Sequence, residues 1–120
     1  MNTHEERAPD YVEHIIGAIG RIKTYVGGMG EPEFLPNVLV QDGVVRQLLV
    51  IGEASNPLKR QCPAFTRAHP EVAWRSAYDT RNVIARGYTD INLEAVWSIV
   101  VEDLPGFRTR MQALLDSVQK

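Results

Sequence analysis

The chain has 120 residues, 44% of them hydrophobic and 23% charged, with a formal net charge of -2 and a pI near 5.9. That length fits one domain spanning residues 1–120 with a modest core. The slightly acidic balance excludes a surface that grips nucleic acid everywhere, so any phosphate-binding function must come from a local cluster. Cys62 is the only cysteine, which excludes an intramolecular disulfide. The N-terminal "MNTHEERAPDY" lacks the apolar run of a secretory signal, and no segment has the length of apolar chain that spans a bilayer, so a cytoplasmic location is expected.

In chain order, "PDYVEHIIGAIGRIKTYVGG" comes first. Val12, Ile15, Ile16, Ile19, Ile22 and Val26 recur at three- and four-residue spacings, which predicts an amphipathic helix. Pro9 and Asp10 suit its first turn and Gly27-Gly28 a glycine stop. His14 has no neighbour at metal-ligand spacing and is expected on the helix surface or half-buried. The next segment, "NVLVQDGVVRQLLVIGEASN", carries a hairpin signal in Asp42-Gly43 between β-branched runs. Its pairs Val44-Val45, Arg46-Gln47 and Leu48-Leu49 alternate two apolar with two polar residues, a helical period, and predict a helix from about Asn37 to Ser55 with Gly43 inside at some cost. Glu53 near its end is either a solvated carboxylate or the internal partner of an arginine.

"PLKRQCPAFTRAHP" has the proline and basic content of a linker, with one turn of helix expected between Pro63 and Ala68. His69, before Pro70, is expected to close a turn, and Lys59, Arg60 and Arg67 are solvated linker charges or the rim of a phosphate-binding surface. In "EVAWRSAYDTRNVIARGY", Trp74, Ala77, Tyr78, Arg81, Ile84, Ala85 and Tyr88 share one helical stripe. A charge on an apolar stripe is expensive unless paired, so Arg81 should meet a carboxylate such as Glu53 or face a cavity or a subunit interface. Finally, "DINLEAVWSIVVEDLPGFRTRMQALLDSVQK" places Leu93, Trp97, Val100, Leu104, Phe107, Met111, Leu114 and Val118 along a bundle seam. Asp90 or Asn92 can cap its start, and Pro105-Gly106 predicts a kink or break. Trp74, Tyr78, Trp97 and Phe107 are expected in the core. No segment remains for a sheet, and the expected fold is an all-α, up-and-down bundle of four long helices plus short ones. No Gly-rich phosphate loop and no Cys/His metal pattern occurs.

The stretch "RNVIARGY", from Arg81 to Tyr88, resembles the motif of the HepT-like branch of the HEPN superfamily, which runs Arg, Asn, three variable residues, His, one variable residue and Tyr. "QDGVVRQLLVIGEAS", "HPEVAWRSA" and "YTDINLEAVWSIVVEDLP" resemble the family's helices in the same order, so the likeness covers nearly the whole chain. It implies a metal-independent endoribonuclease, the toxin of a bacterial type VII toxin–antitoxin pair, working as a homodimer whose two motifs line a shared cleft. It implies no cofactor for RNA cleavage. It also implies a partner, the minimal nucleotidyltransferase MntA, that uses ATP to place AMP on the motif tyrosine. Carried onto this chain, Arg81 and Asn82 contact the scissile phosphate and Tyr88 accepts AMP. Arginine's two-pronged donor matches phosphate oxygens and can stabilise a pentacoordinate transition state.

One position departs from the pattern: Arg86 stands where the family has histidine. An imidazole can take a proton from a ribose 2′-hydroxyl and return one to the leaving oxygen, whereas a guanidinium stays protonated. The expectation is weak or absent cleavage with phosphate affinity retained. An inactivating change made to allow expression, a natural loss of activity, and a variant using another base all fit. On a straight helix, positions 81 and 88 lie about 20° apart and 81 and 86 about 140° apart, so Gly87 must turn the chain or a two-fold axis must bring in the second copy. The alternative function is a non-catalytic subunit that binds RNA, a nucleotide or a nucleotidyltransferase.

Overall fold

The computed structural model describes residues 6–69 and 91–118. Among these the elements are α1 (Ala8–Val26), α2 (Glu31–Phe34), α3 (Val38–Gln61), α4 (Pro63–Ala68), α5 (Leu93–Ser98), a π turn (Ile99–Asp103) and α6 (Leu104–Val118). The fold is an all-α helical bundle, with no strand among the described residues. The helix expected over the stripe from Trp74 to Tyr88 lies outside them.

α1 forms as its periodicity predicts. Val12, Ile15, Ile19, Ile22 and Val26 are buried together with Ala8 and Ala18, while Ile16 is half-buried. Each large aliphatic side chain so enclosed contributes about 1.5–3 kcal/mol. A proline occupies the first turn, and Gly27 ends the helix at φ 56°, a conformation that favours glycine. α1 packs chiefly on α3 and secondly on α6, so it is the central strut of the described bundle.

α3 settles the ambiguity of the second segment in favour of a helix. Asn37 caps it, its Oδ1 accepting from the Val40 N–H at 3.0 Å. Val44, Leu48, Ile51, Ala54 and Leu58 form its buried stripe. Gly43 is more than tolerated: a Cβ there would stand 3.0 Å from Cδ2 of Tyr25 on α1, so the glycine lets that ring lie against the helix. The helix continues past the expected end at Ser55 to Gln61, taking in Pro57 and part of the supposed linker. The apolar stripe explains this, because Leu58 and Cys62 are fully buried and carry the pattern onward. The short α4 spans the predicted turn of helix.

α2 is fastened at both ends. The Glu33 carboxylate accepts from the Gly30 N–H at 2.9 Å, and Gln41 Nε2 of α3 donates to the carbonyls of Phe34 and Leu35. Phe34 is fully buried, its ring 5.0 Å from that of Trp97 on α5.

At Pro105-Gly106, where a kink or a break is expected, the C-terminal run stays one continuous helical element interrupted by a π turn. Asn92 caps α5, accepting from the Ala95 N–H at 3.1 Å, and the helix passes through the π turn into α6. In an unbroken α-helix Pro105 would press on the Val101 carbonyl and leave it without a donor. The π turn contains Val101 and widens the backbone just there, closing with the Leu104 N–H donating to the Ile99 carbonyl. Ser98 donates to the Glu102 carboxylate at 2.9 Å across it. The extra residue also shifts the seam: Val96 is fully buried ahead of Val100 and Leu104, while Leu93 and Trp97 are only half-buried. Phe107, Met111 and Leu114 are buried as expected.

Candidate functional site

Arg81, Asn82, Arg86 and Tyr88 lie outside the described residues, as do Trp74 and Tyr78. Glu53 is the site residue that the structure places. Its side chain is exposed, the pairing with Arg81 lies outside the described residues, and it lines a recess of about 360 Å³ between α1 and α3. Tyr11 and His14 of α1 and Arg46, Val50, Ala54 and Pro57 of α3 complete the described lining.

Helical spacing explains the convergence. Tyr11 and His14 are three apart on α1, while Arg46, Val50, Glu53 and Pro57 step by four, three and four along α3, so each set occupies one helix face. The two faces meet because the stripes beside them, through Ile15 and Ile19 on one helix and Leu48 and Ile51 on the other, are buried in the core. A phenol, an imidazole, a guanidinium and a carboxylate therefore open onto one volume. Arg7 lies over Tyr11, its guanidinium carbon 5.8 Å from the centre of the ring. Proline at position 57 has no N–H, so the Glu53 carbonyl loses its usual helical donor.

His14 is exposed on the helix surface, as expected, but it shares this recess with Glu53. Tyr11 and Arg46 carried no signal when each helix was taken alone. Their polar face becomes a candidate only when two segments about 40 residues apart are brought together. His69 closes α4, its N–H donating to the Thr66 carbonyl at 3.3 Å and its ring lying 4.9 Å from that of Phe65. Arg60 and Arg67 are exposed. Among the described residues, no group of three or more His, Cys, Asp or Glu side chains could hold a metal ion, and no helix is long and apolar enough to cross a membrane.

With that geometry in place, comparison with known proteins defines the class. The family model described as ribonuclease HepT-like matches residues 15–114, so the chain belongs to that family. Among its relatives is a "Probable ribonuclease HepT" of Thermococcus cleftensis, 31% identical over 105 residues that span 88% of this chain and 93% of the relative. Another is a Methanocaldococcus jannaschii protein named "Gamma-glutamylcyclotransferase and putative RNase", 26% identical over 110 residues. That match covers 92% of this chain but 48% of the relative, so this chain corresponds to about half of that larger protein. No solved structure matches the chain.

Proposed function

We propose that this chain is the RNA-cleaving toxin of a type VII toxin–antitoxin pair, a homodimeric, metal-independent endoribonuclease whose own activity is reduced because Arg86 occupies the motif histidine position. The observation that carries this reading is the family match over residues 15–114, which encloses "RNVIARGY". In this mechanism Arg81 and Asn82 hold the scissile phosphate and stabilise the charge that builds on it during displacement. The cleavage step needs a group that accepts the 2′-hydroxyl proton and one that protonates the leaving oxygen. Arg86 can neutralise charge but can do neither. An MntA-type partner silences the motif by moving AMP from ATP to the Tyr88 hydroxyl: the phenolic oxygen bonds to the α-phosphorus, pyrophosphate leaves, and the phenol proton goes to solvent. The added phosphate sets negative charge beside the arginines that would otherwise take RNA.

Arg86 itself favours a second reading, a non-catalytic subunit that binds RNA, a nucleotide or the nucleotidyltransferase. Arg86→His separates the two. With chelator present, the substituted protein should cleave single-stranded RNA about 10²- to 10⁴-fold faster than the parent, the usual contribution of a general acid–base group. A correctly folded dimer that leaves diverse RNAs intact would sink the toxin reading. Incubation with the partner and ATP should add the mass of AMP, and Tyr88→Phe should abolish it. Labelling that persists in the phenylalanine variant would exclude Tyr88 as the acceptor.

A further inference from the structure

We propose that the recess between α1 and α3 is a nucleotide subsite that takes one base, its sugar and an adjoining phosphate. The proposal deepens the nuclease reading and depends on it for RNA as the source of that nucleotide. Its volume, about 360 Å³, falls in the lower part of the roughly 300–1,000 Å³ range of small-molecule sites. The lining is mixed in a way that selects among ligands. Arg46 offers a planar fork for a phosphate, and Arg7 adds a second cation beside Tyr11. Tyr11 and His14 bring flat rings on which a base can stack, and Val50, Ala54 and Pro57 give an apolar surface for its other face. Glu53 supplies a carboxylate that can only accept.

Other ligand classes fit less well. A bare inorganic anion would be opposed by the Glu53 carboxylate. A purely apolar ligand would strip water from Arg46 and Glu53 with nothing in return. A nucleotide has all three complements: a flat ring, N–H or hydroxyl donors, and an anion.

The test uses the full chain, a fluorescein-labelled eight-nucleotide single-stranded RNA of mixed sequence, and AMP and GMP as free nucleotides. Anisotropy should show that His14→Ala and Arg46→Ala each weaken RNA binding by about 5- to 150-fold, the size of one base-stacking or charge contact. Lys23→Ala, on the far side of α1, should leave affinity unchanged. As a check that needs no variant, NMR signals of the His14 ring and the Arg46 side chain should move on titration. Movement with AMP or GMP shows that a free nucleotide suffices, and movement with the octamer alone assigns the site to RNA; either supports the subsite. Binding that leaves both signals and both variants' affinities unaltered overturns it, and so does the absence of binding by the octamer and by millimolar AMP and GMP alike. Cleavage is scored separately in the Arg86→His background. Cleavage with an unresponsive recess removes the subsite alone, and a responsive recess without cleavage removes the nuclease reading alone.

Discussion

The two flanks of α1 are built on opposite plans. Towards α3 the helices come close, Gly43 giving way to the Tyr25 ring, and beyond that contact Tyr11, His14, Arg46 and Glu53 open onto a polar recess. Towards α6 the contact is made by large apolar side chains, and the groove left there, about 510 Å³, is lined by Ile19, Ile22, Trp97, Val100 and Leu104 with Lys23 and Arg108 among the remaining residues. The difference follows from helix periodicity. α1 has one wide buried stripe serving both neighbours, and the polar side chains at its edges can cluster only where the partner helix also shows a polar edge. α3 does so with Arg46 and Glu53, while the π turn and α6 present Val100, Val101 and Leu104. Chemistry therefore collects on one flank and packing on the other.

The most severe way to break this arrangement is to remove the side chain that joins the two halves. Phe34 is fully buried, sits on a segment tied to α3 by Gln41, and packs on Trp97 of α5. Phe34→Ala should lower stability by about 3–5 kcal/mol, read as a fall in urea midpoint. A loss under about 1 kcal/mol would show that the α2 link is dispensable. Next in size is the close approach at Gly43. Gly43→Val drives a branched side chain into the Tyr25 ring and should cost about 1–3 kcal/mol. Tyr25 is 38% exposed, so its ring can be removed without opening the core. The pair Gly43→Val with Tyr25→Ala should recover most of the loss, and simple additivity in that cycle would deny the contact.

Much of the bundle was legible from periodicity because a buried stripe repeats visibly, as in Val12 to Val26 and Val44 to Leu58. Helix ends and interruptions were less so. Ser55 looked like a terminus because Pro57 follows, yet burial of Leu58 outweighs the strain of one interior proline. Pro105-Gly106 left a bent element and two separate helices both open, and a single π turn keeps the run continuous while displacing the seam by one residue, so that Val96 takes the place assigned to Trp97. The family was legible through likeness in the order and spacing of the helices, a route that needs no packing, whereas the roles assigned between Arg81 and Tyr88 fall outside the described residues. The recess was illegible for the opposite reason. Tyr11 and Arg46 are ordinary surface residues on separate helices, and their joint chemistry exists only after α1 and α3 have docked.

The smallest expected effect tests whether the two flanks also differ in how firmly their helices start. Asn37 caps α3 and Asn92 caps α5 through the same bond, a side-chain oxygen accepting an N–H three residues on, at 3.0 and 3.1 Å. Geometry alone gives Asn37→Ala and Asn92→Ala the same cost, about 1 kcal/mol. Their surroundings are not the same. α3 is a helix of 24 residues with a continuous buried stripe, whereas α5 has six residues before the backbone widens into the π turn. A helix anchored along its length frays locally when its cap is lost, but a short segment can unwind back to the wide turn. Amide hydrogen exchange should therefore show loss of protection confined to the first turn of α3 in Asn37→Ala, and reaching Val96 and Trp97 in Asn92→Ala. Equal, first-turn-only fraying in both variants would mean that the π turn is as firm a boundary as α-helix.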